Sequence, residues 1–252
     1  MDITYLSIVL CLLLLAIPAC MLYLYDESLL MKSAGAVCRM LVQVAAGGLI
    51  TYFVIIRDDY RISLLWTVLL AALAAFGAVL KGRLPVGQYV PVLLGMLVSV
   101  MLVGFYLLIA VARVPNALQA SLLLPVMAVL IGHSAGVEAR GVNAWLQARV
   151  DFKEQYDYHR GNGASRLKAL EPCIRRALQK GIAPSLANIK AMGLFALPLL
   201  FCAMLLAGAA PLQALAWTVY LCIGCLAASV LALVVTLWLS DRLSSSSNQS
   251  SK

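Results

Sequence analysis

Residues 62–80, ISLLWTVLLAALAAFGAVL, contain no Lys, Arg, Asp or Glu, and from Leu64 to Leu73 they are apolar without alternation, Thr67 apart. A helix of roughly 20 such residues crosses a bilayer and satisfies its backbone hydrogen bonds within itself. A membrane β-strand alternates apolar and polar residues, which neither this stretch nor residues 10–17 do. The reading is an all-α integral membrane fold.

Residues 3–25, 40–56, 84–112, 114–137 and 191–240 are likewise free of charge. The last is too long for one crossing and holds Gly208-Ala209-Ala210-Pro211, a turn signal with a helix-breaking proline, so it splits in two. The expectation is about seven transmembrane helices in one domain, residues 1–243. Residues 244–252 are Ser-rich without an apolar side chain and are expected to be a disordered tail. With 63% hydrophobic and 12% charged residues, the composition excludes an ordinary soluble domain. Ile17-Pro18-Ala19-Cys20 faintly resembles a lipoprotein cleavage box, but Met1-Asp2-Ile3-Thr4 carries no positive charge, so the first helix is read as retained.

Seven crossings place Arg57, Arg61 and Arg113 on one side and the other sixteen of the nineteen Lys and Arg on the opposite one. The positive-inside rule then puts the N-terminus outside and the C-terminus in the cytoplasm. The net charge of +8 is thereby a topology signal, and nothing points to nucleic acid as a partner. Seven scattered cysteines lack the spacing of a disulfide framework.

The long connection is residues 138–190, between the fifth and sixth helices. Val142, Trp145, Leu146, Val150 and Phe152 continue the fifth helix beyond the membrane, and Gly161-Asn162-Gly163 breaks it. Ser165 can cap a second helix with an apolar face of Leu167, Leu170, Ile174 and Leu178, expected to end at Gly181 and Pro184. The product is a cytoplasmic helix-turn-helix.

This loop resembles that of the permease family that includes the bacterial iron-export permease of the uncharacterised protein family 0014 and a plant aluminium-tolerance relative. The resemblance rests on Gly163-Ala164-Ser165, Arg175, Pro184, Lys190, Gly193-Leu194, Pro198, Gly208, Pro211 and Ala214, and upstream on Arg39, Gln43, Gly48, Pro125 and Gly132. The chain departs from the family pattern where Pro-Gly-Met-Met becomes Pro198-Leu199-Leu200-Phe201, a membrane Asn becomes His133, a Gln of the last helix becomes Thr218 and a loop Asp becomes Ala187. The resemblance implies the permease subunit of an ABC transporter: a multi-pass, homodimeric protein of the bacterial inner membrane, exporting a small solute or metal ion.

The chain has no Gly-x-x-x-x-Gly-Lys-Ser/Thr loop, so no nucleotide site is expected in it; ATP and Mg²⁺ belong to a separate ATP-binding partner subunit. Glu154 to Ala169 is the expected coupling element, with Tyr156, Tyr158 and Leu167 as apolar anchors and Arg160, Arg166 and Lys168 meeting acidic partner residues around the Gly161, Gly163 and Ser165 turn.

For the translocation path, His133 is the candidate from the fifth membrane segment, because ionisable groups there are costly and face a bundle interior; the bland reading is a packing histidine beside Gly132 and Gly136. Arg39 and Gln43, one turn apart, either line an inner vestibule or, for Arg39, snorkel to lipid phosphates. Cys222 and Cys225 share a helix face and could offer sulfur ligands to a metal, although cysteine is also a common small apolar filler. Two alternatives remain: a lipid-modifying enzyme using the His133 and Glu138 spacing, and a non-transporting scaffold.

Overall fold

The computed structural model describes residues 27–113, 116, 118–191 and 199–249, with isolated positions 13, 20 and 23 before them. The described residues are helical or in turns, with no strand among them. The elements are α1 (Glu27–Arg57), α2 (Tyr60–Gly82), α3 (Tyr89–Tyr106, continued by a π-helical turn, Leu107–Val111), α4 (Ala120–Asp151), α5 (Lys153–Gly161), α6 (Arg166–Ala191), α7 (Leu199–Leu206) and α8 (Pro211–Gln249).

Five described segments are long and apolar enough to cross a membrane: Met31–Arg57, Tyr60–Gly82, Val86–Val111, Ala120–Asp151 and Pro211–Leu243. They correspond to five of the seven expected crossings. The expected first helix, residues 3–25, lies almost wholly outside the described residues, as does the start of the sixth, whose described part is the short α7. The expected tail also differs in part: α8 carries its helical backbone through the serines to Gln249.

The chain forms two compact units divided between Arg57 and Asp58. The first contains α1, which is largely exposed and apolar, with Met40, Val44, Leu49, Phe53 and Ile56 open along it. The second is a bundle in which α8 packs on α3 and α4, α4 also packs on α2 and α6, and α6 touches α8. Its core is aliphatic, built on Met96, Leu108, Leu123, Met127, Leu130 and Leu233, with Trp145 closing one end.

Small residues decide where these helices meet, because apolar burial drives little association in lipid and close backbone approach must supply the contact. A methyl group on Gly95 of α3 would collide with the Thr236 hydroxyl of α8, and one on Gly141 of α4 would strike Leu233 of α8 at 2.6 Å. Two threonine hydroxyls in the bundle are satisfied within their own helices: Thr67 donates to the Ser63 carbonyl at 2.9 Å and Thr218 to the Ala214 carbonyl at 2.7 Å. Two adjacent aspartates cap two helices. Asp59 accepts from the Arg61 N–H at 3.0 Å, and Asp58 reaches across the bundle to the Ala120 N–H at 2.9 Å.

One expected boundary is overturned. The helix opening after Ser165 does not end at Gly181 and Pro184 but runs to Ala191. Packing explains it: Gly181 lies against α4 so closely that a methyl there would sit 3.2 Å from Gly141 Cα and the Val137 carbonyl. Continuous contact along α4 outweighs the backbone bonds that Pro172 and Pro184 remove.

Candidate functional site

His133, halfway along α4, and Thr218, Cys222 and Cys225 on α8 line a single cavity of about 480 Å³. Ser185 and Asn188 of α6 and Leu199 and Leu200 of α7 complete its wall. The cavity is mostly apolar with a few convergent polar groups, the usual composition of a small-molecule site. His133 Nε2 is buried and has no hydrogen-bond partner among the described residues, an arrangement that leaves a polar group unsatisfied inside an apolar protein.

Two separate sequence candidates, His133 and the Cys222/Cys225 pair, therefore meet. His133, Thr218, Leu199 and Leu200, positions that the resemblance marks as departures, come from three distant stretches and line one space. No group of three or more His, Cys, Asp or Glu side chains placed to hold a metal occurs among the described residues. Arg39 and Gln43 are exposed on α1, in the other unit.

Beyond the cavity α4 continues to Asp151, turns at Phe152 and restarts as α5. Asn162 ends α5, and Gly163, at φ +80°, takes the left-handed conformation that a side chain would strain. The Ser165 carbonyl then accepts from Ala169 as α6 begins. The helix-turn-helix read from the sequence is present.

Its side chains divide. Tyr158 and Leu167 are exposed, 70% and 68%, and Tyr156 is half-buried. Glu154 and Lys168 are exposed as well. Arg160 instead donates to the Ala164 carbonyl at 3.1 Å, stapling the turn. Arg166 pairs with Asp241 of α8 at 2.8 Å, and that hydrogen bond raises its pKa above the ordinary arginine value. Both arginines expected to face a partner thus make contacts within this chain.

A family comparison matches residues 5–243 to the Uncharacterised protein family (UPF0014). The chain belongs to that family. No curated protein and no solved structure matches it.

Three features of this UPF0014 protein escaped the linear reading. Glu138 is fully buried where α3, α4 and α8 meet; the Thr236 hydroxyl donates to its Oε1 at 2.8 Å, with the Pro91 carbonyl 3.3 Å away. Its Oε2 and the hydroxyl of Ser134, one turn earlier, lack partners among the described residues. Glu138 therefore faces Thr236 while His133 lines the cavity. The Arg166–Asp241 tie and the Asp58 cap are the other two. All three join residues at least 62 positions apart, so although the sequence singles out Glu138 and Arg166 for other roles, their partners are not legible in it.

Proposed function

We propose that this protein is the membrane-spanning permease subunit of an ABC transporter, most simply a homodimer in a bacterial inner membrane that exports a small solute or metal ion. A separate subunit supplies ATP hydrolysis. The N-terminus is outside and the C-terminus cytoplasmic, as the basic residues indicate. The observation that carries this reading is the cavity holding His133, Thr218 and Cys222, because two of its walls are the helices that lead to the helix-turn-helix.

From His133 to Asp151 the uninterrupted α4 spans about 27 Å at 1.5 Å per residue. α6 returns from the turn at Arg166 to Ser185 and Asn188 in the cavity wall. A displacement of the turn by an ATPase subunit is thus delivered to the cavity by two packed rods, and through Arg166–Asp241 to α8. Tyr158, Leu167 and Lys168 form the docking face; Arg160 and Arg166 keep its shape. Three of the four departures marked by the resemblance, His133, Thr218 and the Leu199-Leu200 stretch, line the cavity, which supports it as the place where cargo is selected.

The different surroundings of His133 and Glu138 favour transport over the lipid-modifying enzyme, which needs the two to work together. The test is affinity purification of the tagged chain in mild detergent. An ATP-binding subunit should co-purify and be lost in Tyr158→Glu/Leu167→Glu, whose thermal stability stays unchanged. If no ATPase is captured from membranes that keep the fold intact, the transporter reading fails.

A further inference from the structure

Where α2, α4 and α6 cross, a second pocket of about 520 Å³ is lined by Lys81, Arg140, Arg176 and Lys180, with Asn143 and Gln147, and by no carboxylate. Backbone contacts force these cations together. Gly82 approaches α4 so closely that a methyl on it would sit 2.7 Å from the Ala139 carbonyl, and Asn143 Nδ2 donates to the Gly82 carbonyl at 2.7 Å. Gly181 meets Gly141 on the other side, and Arg140 donates to its carbonyl at 3.3 Å. Lys81 and Lys180, the neighbours of those glycines, therefore line the same pocket as Arg140. Among the described residues only Arg176 of the four has a carboxylate, Asp151 at 2.6 Å. Like charges held in a shared pocket repel, and an anion that fits the pocket relieves the repulsion.

We propose that this pocket binds a phosphate group, and that the phosphate is that of an anionic phospholipid. The source follows from position. Lys81 ends the apolar span of α2, whose Leu73, Phe76 and Leu80 are each more than half exposed along one stripe. Acyl chains lie against such a stripe, and the pocket opens where it stops, at headgroup depth. Phosphate oxygens accept from the guanidinium fork of Arg140 and from the two lysine ammonium groups. This site is separate from the cavity, and its failure would leave the transport reading untouched.

The protein is reconstituted in nanodiscs of phosphatidylcholine alone or with one third phosphatidylglycerol, and its melting temperature and retained lipid are measured, the latter by native mass spectrometry. Phosphatidylglycerol should raise the melting temperature and be retained preferentially. Lys81→Gln/Lys180→Gln should weaken that preference about thirtyfold, from the usual contribution of a basic residue near an anionic surface. Lys81→Arg/Lys180→Arg should keep it, and in pure phosphatidylcholine all three proteins should melt alike. Inorganic phosphate is added to the detergent-solubilised protein as the other arm. Protection by phosphate with indifference to phosphatidylglycerol overturns the lipid source; indifference to both, or a phosphatidylglycerol effect that survives Lys81→Gln/Lys180→Gln, overturns the site.

Discussion

Gly95→Ala and Gly77→Ala make the same chemical change in two apolar helices and should move stability in opposite directions. Around Gly77 of α2 nothing lies within 4 Å of an added Cβ, so the substitution gains only helix propensity, up to about 1 kcal/mol. At Gly95 of α3 the new methyl meets the Thr236 hydroxyl, the Ala232 carbonyl at 2.9 Å and the Thr236 N–H nitrogen at 3.0 Å. Two of these are backbone of α8, so a rotamer change does not relieve the clash and the helices must separate. Overpacking of that kind costs roughly 1–3 kcal/mol, and displacing Thr236 from Glu138 adds about 1 kcal/mol for the lost hydrogen bond. Set against the same propensity gain, Gly95→Ala should be less stable than the parent by about 1–3 kcal/mol. Unfolding by sodium dodecyl sulfate in mixed micelles, followed by near-ultraviolet circular dichroism, measures both. Equal midpoints for the two variants would refute the close α3–α8 contact and the placement of Glu138 that depends on it.

Glu138→Ala empties a fully buried position and should destabilise by about 2–4 kcal/mol, whereas Glu138→Gln keeps the volume and an acceptor for Thr236 and should lose less than about 1 kcal/mol in the same assay. For the Arg166–Asp241 pair, side chains 40% and 17% exposed place the coupling energy near 0.5–1 kcal/mol; a double-mutant cycle with Arg166→Gln and Asp241→Asn measures it, and a value of zero removes the tie. Pro184→Ala restores a backbone bond to the Lys180 carbonyl inside α6 and should stabilise by about 1–3 kcal/mol, checked by the same unfolding midpoint.

How far the fold could be read depended on whether the signal was local. Five of the expected crossings were legible as long helices, because an uncharged apolar run without alternation satisfies its backbone in lipid as a helix. Gly163 was legible as a breaker for a similarly local reason, confirmed by its positive φ. Gly181 and Pro184 were misread because their effect is set by α4: a glycine that ends a free helix becomes, against Gly141 and the Val137 carbonyl, the residue that lets the helix stay close. Among site residues, His133 and Cys222 could each be singled out by chemistry, but that they share a cavity depends on the register of α4 against α8. Arg160 and Arg166 looked like partner-facing charge because their acceptors, the Ala164 carbonyl and Asp241, are a turn geometry and a residue 75 positions away.

The glycine contacts also fix which part of the bundle can move. Gly82 against Ala139, Gly141 against Leu233 and Gly181 against Val137 lie on the helix-turn-helix side of His133 in α4. Each is a close approach that separates only at the cost of packing, so there α2, α4, α6 and α8 behave as one block. Pro184 immediately precedes Ser185 of the cavity wall and removes the α6 backbone bond that would span this point. The stiff region therefore ends, and the helix can bend, where α6 reaches the cavity. On the proposed transporter reading, a push applied at the turn would travel through this close-packed block and be released at the space lined by His133, Thr218 and Cys222, the mechanical order that alternating access requires.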